Sequence, residues 1–147
     1  MFIKKLDCGY SRQIFDIEQK AQSFPWTLNA IEEVFKYPYY TVLVAFDGEQ
    51  LCGFIIFDEI AGESNIHDLA VMPVHQNKGI GGLLLNRYIK EITGHGISRS
   101  LLEVRISNAS ARHLYDKLNY KQIAIRKNYY RTASLEKEDA VIMENRL

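Results

Sequence analysis

The sequence predicts a mixed α/β (α+β) fold in which one sheet is flanked by helices. Three observations lead to this prediction. Short runs rich in β-branched and aromatic residues are separated by turn residues, as in residues 40 to 57. Longer segments carry apolar residues at helical spacing, as in residues 11 to 22. Finally, a strand, a helix and another strand follow one another over residues 65 to 106, and such a crossover makes the two strands parallel.

Each predicted helix rests on a local pattern. In the first, Ile14, Ile17 and Glu18 recur at helical spacing. Pro25 interrupts that segment, because proline biases the residue before it away from the helix, and Thr27 is suited to cap the next one. The predicted helices are residues 11 to 22, 27 to 36, 79 to 93 and 108 to 118.

The strands follow from turn and loop signals. Residues 47 to 50 (Asp-Gly-Glu-Gln) separate two β-rich runs and predict a hairpin turn. Residues 79 to 93 are strongly apolar but too long for a strand, which favours a buried helix. The polar segment 131 to 139 predicts a loop. The predicted strands are residues 2 to 6, 40 to 46, 51 to 57, 65 to 71, 100 to 106, 120 to 125 and 140 to 143.

Composition limits the classes of function. The 147 residues fit one domain, residues 1 to 147, and 47% of them are hydrophobic. Eighteen basic residues balance eighteen acidic ones, so no general affinity for nucleic acid or anionic membranes is implied. No run is long enough to span a bilayer and the N-terminus lacks a signal-peptide core, so we expect a cytoplasmic protein. The sequence does not give the oligomeric state, and a monomer is the default expectation.

The cysteines and histidines do not predict a metal site. Cys8 and Cys52 belong to no CxxC motif or Cys/His cluster, and the four histidines show no ligand spacing. We therefore expect two free thiols and no metal. His67 is a candidate second titrating group for a substrate cleft.

The segment Gln76-Asn77-Lys78-Gly79-Ile80-Gly81-Gly82 predicts an anion site where a loop enters a helix. Glycines let backbone N–H groups approach an anion closely, and the helix N-terminus adds partial positive charge. The Walker pattern and the dinucleotide fingerprint both fail here, because the required Gly-Lys-Ser/Thr and third glycine are missing. The alternative is a glycine-rich helix entry without a ligand.

Three polar residues near the crossover are candidates for chemistry. Glu103 lies inside an apolar strand, where desolvation would favour a general base; the alternative is an outward charge paired with Arg105. Tyr115 is a core aromatic or a proton donor. Asn108 is expected to cap the N-terminus of the predicted helix over residues 108 to 118.

Residues 71 to 73 (Val-Met-Pro) followed by residues 76 to 81 resemble the acetyl-CoA motif of the GNAT N-acetyltransferases. This resemblance implies a largely antiparallel sheet whose central parallel pair of strands splays apart. Three further parts of the chain resemble the branch of the family that acetylates the N-terminal alanine of ribosomal protein S18. They are residues 17 to 21 with 24 to 26, residues 102 to 105 with 107, 108, 114 and 115, and residues 125 to 130 with 138 to 140. The pair His67-Asp68 departs from the branch, whose members tend to have an apolar or aromatic residue followed by asparagine.

The resemblance implies a role for each candidate. Glu103 would be the general base and Tyr115 the general acid, while Trp26, Tyr129 and Tyr130 would bind the peptide. The residues implied to bind acetyl-CoA are Leu69, Ala70, Val71, Asn77, Lys78, Gly79, Ile80, Gly81, Gly82 and Asn108. Two alternatives stay open: acetylation of another amine, such as a lysine or a small molecule, and a CoA-binding module without turnover.

Overall fold

The computed structural model describes residues 1–134 and 136–147, which contain one seven-stranded sheet and four α-helices. The strands are β1 (Phe2–Leu6), β2 (Tyr40–Asp47), β3 (Gln50–Ile60), β4 (Glu63–Val71), β5 (Arg99–Arg105), β6 (Lys121–Arg131) and β7 (Lys137–Arg146). The helices are α1 (Ser11–Ala21), α2 (Leu28–Val34), α3 (Ile80–Gly94) and α4 (Ala109–Lys117), with a short 3₁₀ turn at Pro73–His75. The sheet order is β1-β2-β3-β4-β5-β7-β6. Of the described strand pairs, β4 and β5 are parallel and the others antiparallel, which confirms the predicted mixed sheet.

Helices cover both faces of the sheet. The α1/α2 face packs Ile14 and Ile31 against Val42 and Val44 of β2, while the α3/α4 face packs against Leu43 of the same strand. Alternate residues of β2 therefore belong to different cores, as expected for a strand that is buried on both sides.

The helix starts follow their local chemistry. Thr27 accepts a hydrogen bond from Ala30 N (3.1 Å) and Asn108 accepts one from Ala111 N (3.1 Å), so both predicted caps are confirmed. Helix α3 instead begins after Gly79, whose φ of 81° lies in the left-handed region that favours glycine.

Strands β4 and β5 separate after a short paired stretch. Their parallel pairing runs from Glu63 and Arg99 to Ile66 and Leu102, whereas β4 continues to Val71 along β3. A β-bulge falls at His67 in the β3–β4 pair. The predicted splay is confirmed, and it leaves the β5 side of residues 69 to 71 without a neighbouring strand.

Buried hydroxyl groups link β4 and β5 at the end where the two strands are paired. The Tyr88 hydroxyl donates to Ser64 Oγ (2.8 Å) and lies 2.6 Å from Ser100 Oγ, which in turn lies 2.6 Å from the Tyr120 hydroxyl. Ser64 is on β4 and Ser100 on β5, so the network links the two parallel strands before they diverge.

The C-terminal hairpin is longer than predicted. The prediction of a loop over residues 131 to 139 is wrong at Arg131 and at residues 137 to 139, which belong to β6 and β7; Leu135 lies outside the described residues. These strand ends carry polar residues, so the backbone ladder forms them without an apolar pattern. None of the helices in the described residues is both long and apolar enough to span a membrane.

Candidate active site

The glycine segment borders a cavity of about 370 Å³ at the open end of β4, here called the glycine-loop cavity. It is lined by Ala21, Gln22, Leu69, Ala70, Val71, His75, Gln76, Asn77, Gly79, Ile80, Gly81, Gly82, Asn108, Ser110, Ala111, Leu114 and Tyr115. Every residue predicted to bind the cofactor is in this set except Lys78, which is exposed and outside the described lining.

The wall of this cavity offers backbone groups. Gly79 supplies no side-chain cap, so the first N–H groups of α3 keep their hydrogen-bonding capacity. A Cβ at Gly81 would lie 3.2 Å from Leu114 Cδ2, which means that glycine also lets α4 approach α3. These features suit a phosphate-bearing ligand at the helix start.

A second cavity, of about 170 Å³, lies on the α1 side and is called the central cavity. It is lined by Glu18, Gln22, Phe24, Trp26, Ile66, His67, Asp68, Leu69, Leu102, Glu103, Val104, Arg105, Asn108, Ala111, Tyr115 and Tyr130. The residues that line both this and the glycine-loop cavity are Gln22, Leu69, Asn108, Ala111 and Tyr115. The splay therefore brings two cavities to one shared wall.

The predicted catalytic and peptide residues collect around the central cavity. Glu103, Tyr115, Trp26 and Tyr130 line it, and Tyr129 lies with Tyr130 in an adjoining groove of about 380 Å³. These residues are far apart in the chain, but the structure brings them together. They come from the segment just before α2, from β5, from α4 and from β6.

A sequence model of the family described as "Acetyltransferase (GNAT) family" matches residues 11–120. The chain belongs to this acetyltransferase family. It is accordingly an acetyl-CoA-dependent N-acetyltransferase, since acetyl-CoA is the acyl donor of the family.

Three comparisons show which members of the family this acetyltransferase is similar to. It is 35% identical over 136 residues to the "[Ribosomal protein bS18]-alanine N-acetyltransferase" of Haemophilus influenzae, covering 92% of this chain and 91% of that one. It is 35% identical over 129 residues to the Escherichia coli protein of the same name, covering 88% and 86%. The crystal structure of the E. coli ribosomal-protein-S18-alanine N-acetyltransferase superposes with a TM-score of 0.93 at 32% identity, over 99% of this chain and 92% of that one.

Glu103 is less buried in the acetyltransferase than the sequence suggested. Its side chain is 33% exposed and forms an ion pair with Arg126, N to O 3.2 Å. The expectation of a desolvated carboxylate is wrong because the pleat directs Leu102 and Val104 into the α3/α4 core and Glu103 to the opposite face, where it lines the central cavity and stays partly exposed. The alternative partner, Arg105, pairs with Glu138 instead (3.0 Å).

Tyr115 is buried and lines both cavities. No side-chain hydrogen bond to its hydroxyl is formed within residues 1–134 and 136–147, so the group is available to a ligand. Burial raises the pKa of Tyr115 above its ordinary value, and the charge of Asp68 adds to the effect. The hydroxyl is therefore protonated at neutral pH.

Aromatic rings hold Arg105 at the mouth of the central cavity. Its guanidinium carbon lies 4.4 Å from the Phe24 ring centroid and 4.5 Å from that of Tyr130. Burial raises the pKa of Tyr130 to about 12, with a further contribution from the charge of Glu103. Phe24 was not among the predicted site residues, although it lies in the Phe-Pro-Trp segment that carried part of the resemblance.

Sequence reasoning also missed two carboxyl groups of the central cavity, Glu18 and Asp68. Glu18 is fully buried, and Gln22 just after α1 donates to Asp68 Oδ1 (3.0 Å). Burial and the adjacent Glu18 carboxyl raise the pKa of Asp68 well above its ordinary value. A signal existed, because Glu18 shares the helical spacing of the apolar residues Ile14 and Ile17.

His67 faces both the central cavity and the adjoining groove. Its Nε2 lies 2.7 Å from Oδ2 of the buried Asp58, so a carboxylate orients the ring. Within the described residues, no group of three metal-binding side chains converges.

Proposed function

We propose that this acetyltransferase modifies the N-terminal α-amino group of a protein, and that its acceptor is the N-terminal alanine of ribosomal protein S18. Two relatives that are 35% identical over most of the chain are named for that reaction. The observation that carries the proposal is the wall shared by the two cavities, where Tyr115 faces both. A ribosomal acceptor implies that the reaction takes place in the cytoplasm.

The glycine-loop cavity is the proposed donor site. The free N–H groups at the start of α3 would hold the pyrophosphate of acetyl-CoA, and the edge of residues 69 to 71, which has no neighbouring strand on the β5 side, would bind its pantetheine arm. Asn108, at the shared wall, would bind the same arm. Acetyl-CoA supplies the acetyl thioester, whose C–S bond breaks as the C–N bond to the amine forms.

Glu103 and Tyr115 divide the proton transfers in this proposal. An α-amino group has a pKa of about 8, so at neutral pH it must lose a proton before it attacks. Glu103 would accept that proton through a water molecule in the central cavity. Tyr115 would give its proton to the sulfur that leaves, a role that its protonated state at neutral pH allows.

Aromatic residues would bind the acceptor peptide. Trp26 and Tyr130 line the central cavity, and Tyr129 extends the surface into the adjoining groove. The backbone of Trp26 is fixed by a hydrogen bond from its N–H to Glu18 Oε2 (2.8 Å), so this part of the wall is held in place.

The test is a turnover assay with acetyl-CoA and a peptide that begins with alanine and carries one internal lysine. We expect CoA release and a mass gain of one acetyl group at the N-terminus. The control is the same peptide with a blocked N-terminus, which should give no release. Acetylation of the lysine, with the free N-terminus unmodified, would contradict the proposal and favour a lysine acceptor.

A further inference from the structure

Two carboxyl groups from distant parts of the chain meet in the central cavity, Glu18 on α1 and Asp68 on β4. One oxygen of each has a partner within the protein. Glu18 Oε2 accepts from Trp26 N (2.8 Å), and Asp68 Oδ1 accepts from Gln22 Nε2 (3.0 Å). The other two oxygens, Glu18 Oε1 and Asp68 Oδ2, are buried and have no hydrogen-bond partner outside the pair among the described residues.

Such an arrangement is costly for the fold. Glu18 is 0% exposed, and buried polar groups are nearly always hydrogen-bonded. Burial and the adjacent Glu18 carboxyl raise the pKa of Asp68 well above its ordinary value, which favours its protonated form in the absence of a cation. Groups that destabilise a fold in this way are retained at functional sites.

The location of the pair indicates what it binds. Gln22, which holds Asp68, also lines the glycine-loop cavity, so the pair lies beside the wall where the two cavities meet. We propose that Glu18 and Asp68 form the subsite that binds the α-ammonium group of the acceptor. This inference rests on the proposed function, in which that amine enters the central cavity.

The chemistry of an ammonium group matches the two free oxygens. It has three N–H donors, of which two can be held by Glu18 Oε1 and Asp68 Oδ2. The third remains for the general base, and its removal leaves the nitrogen lone pair in a fixed direction. On binding, the Asp68 proton is released to solvent, so that an ammonium cation lies between two carboxylates. Glu18 and Asp68 are thus positioning residues.

Other titratable or charged groups also line the central cavity. They are His67 of β4, Glu103 and Arg105 of β5, Tyr115 of α4 and Tyr130 of β6. A variant confined to the carboxyl pair is therefore needed to isolate its part.

The main test variant is Asp68→Asn. Its amide oxygen can still accept from Gln22, and its Nδ2 can donate to Glu18 Oε1, so the fold is kept while one acceptor and the Asp68 proton are lost. Glu18→Gln is the second variant, because its amide oxygen can still accept from Trp26 N. Asp16→Asn, on the exposed face of α1, is the matched control.

The measurement is calorimetric titration of the CoA-saturated enzyme with two peptides. One begins with alanine, and the other has a propionyl group in place of that alanine and so lacks only the amine. We expect the wild type to prefer the amine by about 10-fold or more, and Asp68→Asn to lose most of that preference. Repeating the titration in buffers of different ionisation enthalpy should show proton release in the wild type and its loss in Asp68→Asn.

Each outcome decides the inference. Equal binding of the two peptides by the wild type, or an unchanged preference in both folded carboxyl variants, would overturn it. The proposed function has its own test in the acetylation of the alanine-started peptide. A retained preference for the amine without acetylation would overturn the proposed function alone, whereas acetylation without the preference would overturn the subsite alone.

Discussion

Arg126 on β6 forms an ion pair with Glu103 on β5, with 3.2 Å between nitrogen and oxygen. These strands are not neighbours, because β7 lies between them in the sheet. The Arg126 side chain therefore reaches over β7, and its guanidinium carbon lies 4.8 Å from the Tyr129 ring centroid. The proposed base on β5 is thus held by the same hairpin that carries the proposed peptide-binding tyrosines.

Glu103→Gln should lower kcat by about 10²- to 10³-fold, because the amide cannot accept the amine proton. Acetyl-CoA affinity should stay within about 2-fold, since Glu103 is outside the described lining of the glycine-loop cavity. Steady-state kinetics and direct titration with acetyl-CoA measure the two quantities. The control is Glu33→Gln on the surface of α2. Lost acetyl-CoA binding with normal turnover of the bound complex would contradict the proposed role.

Arg126→Ala should reduce kcat/KM by about 10-fold or less, because the ion pair between Arg126 and Glu103 is partly exposed and screened by solvent. In the Glu103→Gln variant, Arg126→Ala should have a much smaller effect on kcat/KM, since the ion pair is already broken. A double-mutant cycle in kcat/KM tests this coupling. Additive effects would mean that Arg126 acts on the peptide and not through Glu103.

Tyr115→Phe should lower kcat by about 10²-fold while leaving the melting temperature nearly unchanged. The hydroxyl makes no hydrogen bond within the described residues, so its removal breaks none. Because burial raises its pKa, Tyr115 should contribute no loss of activity as the pH rises from 7 to 9. Rate profiles over this range, for wild type and variant, check both points; an alkaline limb that the variant lacks would contradict this assignment.

Asp68→Asn should make the protein more stable as well as weaken amine binding. The folded-state pKa of Asp68 is raised, so above its unfolded value of about 3.9 the folded state holds more protons than the unfolded state. Stability therefore falls as the pH rises towards the folded pKa, and the asparagine removes this loss. We expect a melting temperature about 3 °C above wild type at pH 8 and a smaller difference at pH 4. A variant that is less stable than wild type at pH 8 would contradict the inference that the Glu18–Asp68 pair destabilises the fold.

Ser100→Ala should lower the free energy of unfolding by about 2 kcal/mol, because the buried hydroxyls of Tyr88 and Tyr120 each lose a partner. The exposed Ser98→Ala is the matched control. Denaturant unfolding gives both values. An effect no larger than that of the control would show that the network does not hold the parallel strands together.

Much of the fold was predictable because its signals are local. The spacing of Ile14 and Ile17 predicted α1, Thr27 and Asn108 predicted helix starts, and the crossover over residues 65 to 106 predicted the parallel pair. The glycine segment likewise indicated a helix start that can take an anion. The ends of β6 and β7 were missed, because these polar strand ends form through backbone pairing that leaves no apolar pattern.

The sequence by itself determined the element order, the glycine-loop cavity wall and the identity of candidate groups such as Glu103 and Tyr115. Tertiary structure decided their partners. Glu103 pairs with Arg126 and not with Arg105, and Glu18 meets Asp68, because sheet order and helix packing join segments that are distant in the chain. Periodicity and capping act over a few residues, whereas the burial and charge that set a carboxyl group's chemistry depend on every element packed around it.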